Sequence, residues 1–300
     1  MNTALAAMSV AFICGLAHRE LVISSAAAQE SDWATSRQMF VSGYYRIWCR
    51  ASGTQRTIKV LGAGALIGIV LGYSPARPWV AIVSIAAILS VLGTSSRRTW
   101  PLATSLASDA PDAVEQTRRV RTLRRHYTIQ VLLLILVLAL QASRIDGGIG
   151  AAFLAANGSA FLAATMWNEV VVDAAVSRGQ GKLASLDRAA LLGYYQVMTQ
   201  RGRALNLAAV FLGIGVTLGA LVFEVHSGTV PAALAIPSLI FFCAFLVVST
   251  ARSWRIATRL GNGEYRDFQL SSVSWQLSRL HRFFVLTLIA VATLQVVATW

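Results

Sequence analysis

Apolar residues gather in eight long runs along the chain, near 3–22, 58–74, 78–96, 127–143, 148–168, 204–223, 229–250 and 283–300. Runs of this length approach the ~20 residues a helix needs to cross the hydrocarbon core of a bilayer. A spanning segment must satisfy its backbone groups internally, so these runs predict helices, not strands. Between the runs the period changes. Phe40, Tyr44, Ile47 and Trp48 fall at i, i+4, i+7 and i+8, one apolar face of a helix, with Arg37, Arg46 and Arg50 placed for the headgroup boundary. This predicts an amphipathic connector helix lying at the membrane interface and leading into the second span. Asp109, Pro111 and Asp112 have the chemistry of a helix start ahead of the fourth run. The first run is expected to be retained as a span. Met1, Asn2 and Thr3 lack the basic start of a secretion signal, although "SSAAAQ" at 24–29 resembles a cleavage site.

The order of runs repeats. "SGYYRIW" at 42–48 returns as "LGYYQVM" at 192–198, and "AFICGLAHREL" at 11–21 returns as "AFLAATMWNEV" at 160–170. "LGAGALIG" at 61–68 returns as "LGIGVTLG" at 212–219, and "RTWPLATSL" at 98–106 as "RSWRIATRL" at 252–260. "VLLLILVLALQ" at 131–141 returns as "VLTLIAVATLQ" at 285–295. An offset that stays between 149 and 154 throughout marks a duplicated structural unit. The expected organisation is therefore an all-α membrane protein of eight transmembrane helices, arranged as two parallel four-helix repeats, 1–147 and 148–300. An even number of spans in each repeat inserts both the same way up, related by an axis along the membrane normal.

Composition sharpens this reading. The chain is 56% hydrophobic and 13% charged, with mean hydropathy +0.60. Soluble domains carry about twice that share of charge. The net charge is +13, and all of the 26 Lys and Arg residues except Arg77 and Arg144 lie in four connecting stretches, 19–59, 97–125, 178–203 and 252–282. That asymmetry orients a bacterial inner-membrane protein with its basic connectors in the cytoplasm and both termini outside. The basic face then meets anionic lipid headgroups. No aromatic-interleaved groove accompanies the charge, so specific nucleic-acid binding is not expected. Cys14, Cys49 and Cys243 have neither metal-ligand nor disulfide-framework spacing.

Gly62, Gly64 and Gly68 have the look of a dinucleotide loop. Such a loop must follow a strand and open a helix, whereas these glycines and their counterparts Gly213, Gly215 and Gly219 sit inside apolar runs. The four-residue spacing of Gly64 and Gly68, and of Gly215 and Gly219, instead predicts close helix packing. No cofactor is expected. Glu20 and Glu169 are matched acids near the basic end of a run, each read either as the partner of an interfacial Arg or as an ion or proton site. Gln141 and Gln295 are matched amides near the opposite end, suited to hydrogen bonding between helices or to lining a path. Arg98 and Trp100 recur as Arg252 and Trp254, a pairing that anchors a helix in headgroups or docks a partner. His18, His126 and His281 lie near one depth without repeat equivalence, and interfacial placement is the expectation. No Ser/His/Asp set, HExxH or paired-carboxylate face is present, and an enzyme is not expected.

The stretches 37–106 and 187–260 share one plan: a Tyr-Tyr-bearing amphipathic helix, a two-span hairpin, and a helix starting "RTWPLAT" or "RSWRIAT". In this plan they resemble the SLATT class of bacterial two-span membrane modules. The resemblance implies a pore-forming effector that acts as an oligomer and permeabilises its own cell's membrane when triggered. The first functional expectation is therefore a channel-like or pore-forming module in a homo-oligomer or membrane complex. The alternatives are a small-solute or ion transporter with its site between the repeats, and a membrane scaffold docking a cytoplasmic partner.

Overall fold

A computed structural model describes residues 2–28, 34–73, 75–108, 112–145, 149–177 and 184–300, except for the side chains of 2, 34, 35 and 52–55. The described residues are helical, without strands. The first stretch holds α1 (Asn2–Ala28), α2 (Ala34–Arg50), α3 (Ser52–Leu71), α4 (Pro78–Thr94), α5 (Trp100–Ser108) and α6 (Ala113–Ala142). The second holds α7 (Gly150–Ser177), α8 (Ser185–Gln196), α9 (Arg203–Ser227), α10 (Ala232–Val248), α11 (Trp254–Gly261) and α12 (Asp267–Ala298). π-helical turns at Ser95–Thr99 and Ser249–Ser253 join α4 to α5 and α10 to α11, and a third at Val197–Arg201 follows α8.

Local chemistry sets several of these ends. Asp112 caps α6 by accepting a hydrogen bond from the Glu115 backbone N–H at 2.7 Å, and Glu115 pairs with Arg119 one turn on at 2.9 Å. Asp109 and Pro111 lie outside the described residues. Pro78 opens α4, where its missing N–H costs nothing. Gly228 ends α9 in the left-handed conformation, φ 65°, that a side chain would resist.

Six described helices are long and apolar enough to cross a membrane: Thr3–Ala28, Pro78–Ser108, Ala113–Ala142, Arg203–Ser227, Ala232–Gly261 and Asp267–Ala298. The sequence reading expected eight. The two that fall outside this set are α3, which opens on the polar stretch Ser52–Lys59, and α7. Helix α7 carries Asn168, Glu169 and Asp173, all buried. It packs against α1, α9 and α12, so it meets protein where a peripheral span would meet lipid. A helix enclosed by other helices can hold polar side chains that a lipid-facing one cannot.

The outer helices show the converse. Ile67, Ile82, Phe211, Leu212, Ile240, Val247 and Leu286 are all exposed. Exposed apolar side chains in such number are compatible with a lipid environment around the bundle. Polar contacts concentrate at the two ends. Arg77 donates to the Ser143 carbonyl at 3.0 Å and Arg144 to the Gly72 carbonyl at 2.6 Å at one end. Arg188 pairs with Asp267 at 2.9 Å, and Arg37 donates to Thr117 at 3.0 Å, at the other.

Helix α2 departs from its expected place on the membrane surface. Phe40, Tyr44, Ile47 and Trp48 are buried in the main core, against α8 and α5. A second amphipathic helix from the other half of the chain supplies the apolar surface that lipid was expected to supply. The crossing is close: a Cβ on Gly43 would strike the Leu186 carbonyl, and one on Gly193 would strike the Phe40 ring.

Candidate functional site

Helices α1 and α7 run side by side, and their C-terminal parts bring Glu20 and Glu169 into one buried polar layer. Arg19 donates from Nη2 to Glu169 Oε1 at 2.7 Å, from Nη1 to Asn206 Oδ1 at 2.6 Å and from Nε to the Thr165 carbonyl at 3.0 Å. It is 1% exposed. On the far side of Glu169, His281 Nε2 lies 3.3 Å from Oε2. The other ring nitrogen, Nδ1, lies 2.8 Å from Asp173 Oδ2, and the Tyr195 hydroxyl donates to both Asp173 oxygens at 2.9 and 3.0 Å. An imidazole between two carboxylates satisfies both only when each nitrogen carries a proton. Arg19 and His281 then balance Glu169 and Asp173, the condition under which buried charges are tolerated.

Glu20 is in different company. Its Oε1 accepts a hydrogen bond from the Tyr44 hydroxyl and one from Asn168 Nδ2 at 3.4 Å. Its Oε2 has no hydrogen-bond partner among the described residues, and neither has Asn168 Oδ1. Glu20 and Asn168 line a cavity of about 110 Å³ with Trp48, Trp100, Tyr127 and Gln130. The cavity lies beside the π-helical turn that ends α4, which contributes Ser95, Ser96 and Thr99. π-Turns recur at functional sites because they re-aim side chains within a helix.

The tyrosine pairs link Glu20 to Asp173. Tyr44 stacks on Tyr194 with centroids 6.1 Å apart and planes 12° from parallel, while Tyr45 and Tyr195 pack edge-on to them at 5.2 and 5.3 Å. Burial, then the Glu20 carboxylate, pushes the Tyr44 hydroxyl well above its ordinary pKa. Burial, then Asp173 and Glu169, does the same at Tyr195. Both phenols are therefore firm hydrogen-bond donors.

The remaining expected residues fall in several places. Gln141 donates to Ser84 at 3.0 Å and Gln295 to Ser238 at 3.0 Å, each joining the last helix of its half to the outer hairpin. All four are fully buried. The glycines divide. Gly62 meets the Leu92 side chain and Gly213 meets Leu162, and Gly68 is buried. Gly64, Gly215 and Gly219 have open space where a Cβ would stand. Arg98 and Arg252 are exposed. Trp100 packs on Trp48 at 5.2 Å and walls the cavity, while Trp254 is 38% exposed. His18 and His281 are buried, not interfacial; His18 sits beside the Phe161 ring at 5.7 Å.

Sequence reasoning missed Arg19, Asp173, Asn168 and His281 as members of the layer. A signal existed for part of it. The Tyr-Tyr pair recurs in both copies, and Arg19 adjoins Glu20 at the end of an apolar run. Nothing along the chain showed that Arg19 reaches the other copy's acid. Among the described residues no group of three or more His, Cys, Asp and Glu is arranged to hold a metal ion. Comparison with protein-family models, with curated proteins and with solved structures finds no match.

Proposed function

We propose that the chain is a non-enzymatic, multi-pass protein of a bacterial cytoplasmic membrane that carries a small solute or ion through a site between two four-span repeats. The observation that carries this reading is the Glu20 cavity. A buried carboxylate with one oxygen unpartnered, next to open space, is costly inside a membrane. Such a group is kept where it meets a ligand or proton.

The eight-span, two-repeat organisation draws support from three observations. A Cβ on Gly72, at the end of α3, would meet Thr3 at the start of α1, so α3 and α1 cover the same height. Helix α7 meets α1 from Ala4–Ala156 at one end to Arg19–Glu169 at the other. The Gln141–Ser84 bond recurs as Gln295–Ser238 with the same sequence separation and length. Residues 1–147 and 148–300 are then the two repeats. Their shared polar layer lies near the cytoplasmic face, both termini lie outside, and the basic connectors face anionic headgroups.

The test is flux in proteoliposomes. Glu20→Gln is expected to abolish Glu20-dependent uptake of protons or small cations while the protein still inserts and elutes as a single species. Unchanged flux in that variant removes Glu20 from the transport path.

A pore-forming oligomer of the kind the SLATT resemblance implies is the second reading. The bare outer faces at Gly64, Gly215 and Gly219 favour it, because small residues let a helix of a second copy approach closely. It predicts depolarisation of cells that express the protein, which voltage-sensitive dye would report. Normal potential at verified high expression contradicts it.

A further inference from the structure

Granting the carrier reading, we infer that the Glu20 cavity takes a small zwitterion, an alkylammonium group joined to an anionic group, and not a metal cation or an inorganic anion. Three features select the ammonium end. Glu20 Oε2 lacks a donor, so the site wants positive charge or an N–H. Trp48 and Trp100 meet at 5.2 Å and Tyr127 completes an aromatic wall. Aromatic faces attract cations that carry carbon, through the ring quadrupole and through apolar contact. Leu16 and Val91 fill other parts of the lining. A hard metal ion is held by oxygen ligands, several of them carboxylates, whereas Glu20 is the one carboxylate of this lining and the Lys59 ammonium stands in the same wall. An inorganic anion would face the Glu20 carboxylate.

The anionic end is selected by Lys59. It is an exposed residue that lines the same cavity. It stands at the start of the α3 run, and its flexible stem lets the ammonium serve as a movable point charge at the mouth. The serine and threonine hydroxyls of the π-turn add neutral donors alongside. A volume of about 110 Å³ accommodates several water-sized groups, which suits a compact solute or a lipid headgroup and excludes a large one.

The second copy bears on this choice. Where the first has Val91 and Gln130, the repeat places Phe245 and Phe284, packed edge-to-face at 5.5 Å and buried. Where the first has Tyr127 it places His281, which is spent on Glu169 and Asp173. The equivalent space is filled and the equivalent acid neutralised, so one ligand is bound per chain.

The test uses calorimetric titration of the purified full chain with glycine betaine, tetramethylammonium and acetate. Glycine betaine should bind, tetramethylammonium should bind about tenfold more weakly, and acetate should not bind. Glu20→Gln should weaken binding of both ammonium compounds tenfold or more, and Glu20→Asp should recover part of the binding. Lys59→Met should bring glycine betaine down to the level of tetramethylammonium. Circular dichroism and gel filtration identify any variant that fails to fold. Repeating the titration in nanodiscs of phosphatidylglycerol alone and of phosphatidylglycerol with phosphatidylethanolamine separates the sources. Competition by phosphatidylethanolamine identifies a lipid headgroup as the natural occupant, and equal binding in both identifies a soluble one. Acetate binding, undiminished glycine betaine or tetramethylammonium binding in Glu20→Gln, or no glycine betaine binding in either lipid overturns the assignment. Glu20-dependent proton or potassium flux without glycine betaine binding overturns the ligand class and leaves the carrier reading standing. Binding without any flux does the reverse.

Discussion

Glu20 and Glu169 occupy matching positions in the two halves and have opposite surroundings. Glu169 is held between Arg19 and His281, with every nearby charge balanced. Glu20 has a tyrosine and an amide on one oxygen and nothing on the other. The difference comes from few positions. Arg19 on α1 crosses to the other copy's acid, and its counterpart Asn168 on α7 crosses back to Glu20 with a neutral amide. In the second half the acid is clamped by charged partners, and in the first it borders a cavity.

That contrast can be broken at its strongest point first. Arg19→Met leaves Glu169 and Asp173 facing a single histidine in a buried layer. Removing one partner of a buried ion pair costs roughly 3–5 kcal/mol, so the variant should show a large loss in thermal denaturation of the detergent-solubilised protein. Glu20→Gln keeps the acceptor for Tyr44 and should shift stability by about 1 kcal/mol or less. Equal losses in the two variants would mean that both acids are structural.

The filled space of the second half gives the next largest effect. Phe245→Val copies the residue found in the first half and opens room beside Phe284. The cost should fall below the ~3–5 kcal/mol of a full phenylalanine truncation, read in the same melting experiment. The reciprocal change, Val91→Phe, should close the Glu20 cavity and reduce ligand binding or flux with little loss of fold. Retained function in Val91→Phe would place the site elsewhere.

The glycines sharpen the comparison at the level of packing. Gly62→Leu and Gly213→Leu drive a side chain into Leu92 and Leu162, and overpacking of this kind costs about 1–3 kcal/mol. Gly64→Leu and Gly215→Leu point into open space and should leave the melting of the single chain unchanged. A change of oligomeric state in the latter pair, measured by light scattering, would mark the outer face as an assembly surface.

The smallest effect belongs to the feature the two halves share most fully. Gln141→Leu and Gln295→Leu each remove one interhelical hydrogen bond of ~0.6 kcal/mol. Near-equal small losses are expected, measured as the difference between the two variants. A loss several times larger at Gln295 would show that the second half depends on its amide for more than one helix contact.

Much of the architecture was legible along the chain because helix period and apolar run length are local signals. The runs, the connector helices and the Asp112 start of α6 could all be read from residues a few turns apart. The span count was not fully legible. Helix α7 carries Asn168, Glu169 and Asp173 where α1, α9 and α12 enclose it, and enclosure is a property of the assembled bundle. The placement of α2 failed for a related reason, since an amphipathic face does not reveal whether lipid or another helix will cover it. Glu20 and Glu169 were visible as matched acids. Their different surroundings were not, because these rest on Arg19, Asn168 and His281 reaching across 108 to 150 residues of the chain.

The most direct measurement is flux of glycine betaine, protons and small cations through proteoliposomes made with wild-type protein, Glu20→Gln and Glu169→Gln in parallel, with the folded fraction of each determined on the same preparation. Glu20→Gln should be folded and silent, and Glu169→Gln should lose folded protein while the remaining folded fraction carries flux. Wild-type flux in folded Glu20→Gln would contradict the division between an open site and a structural clamp.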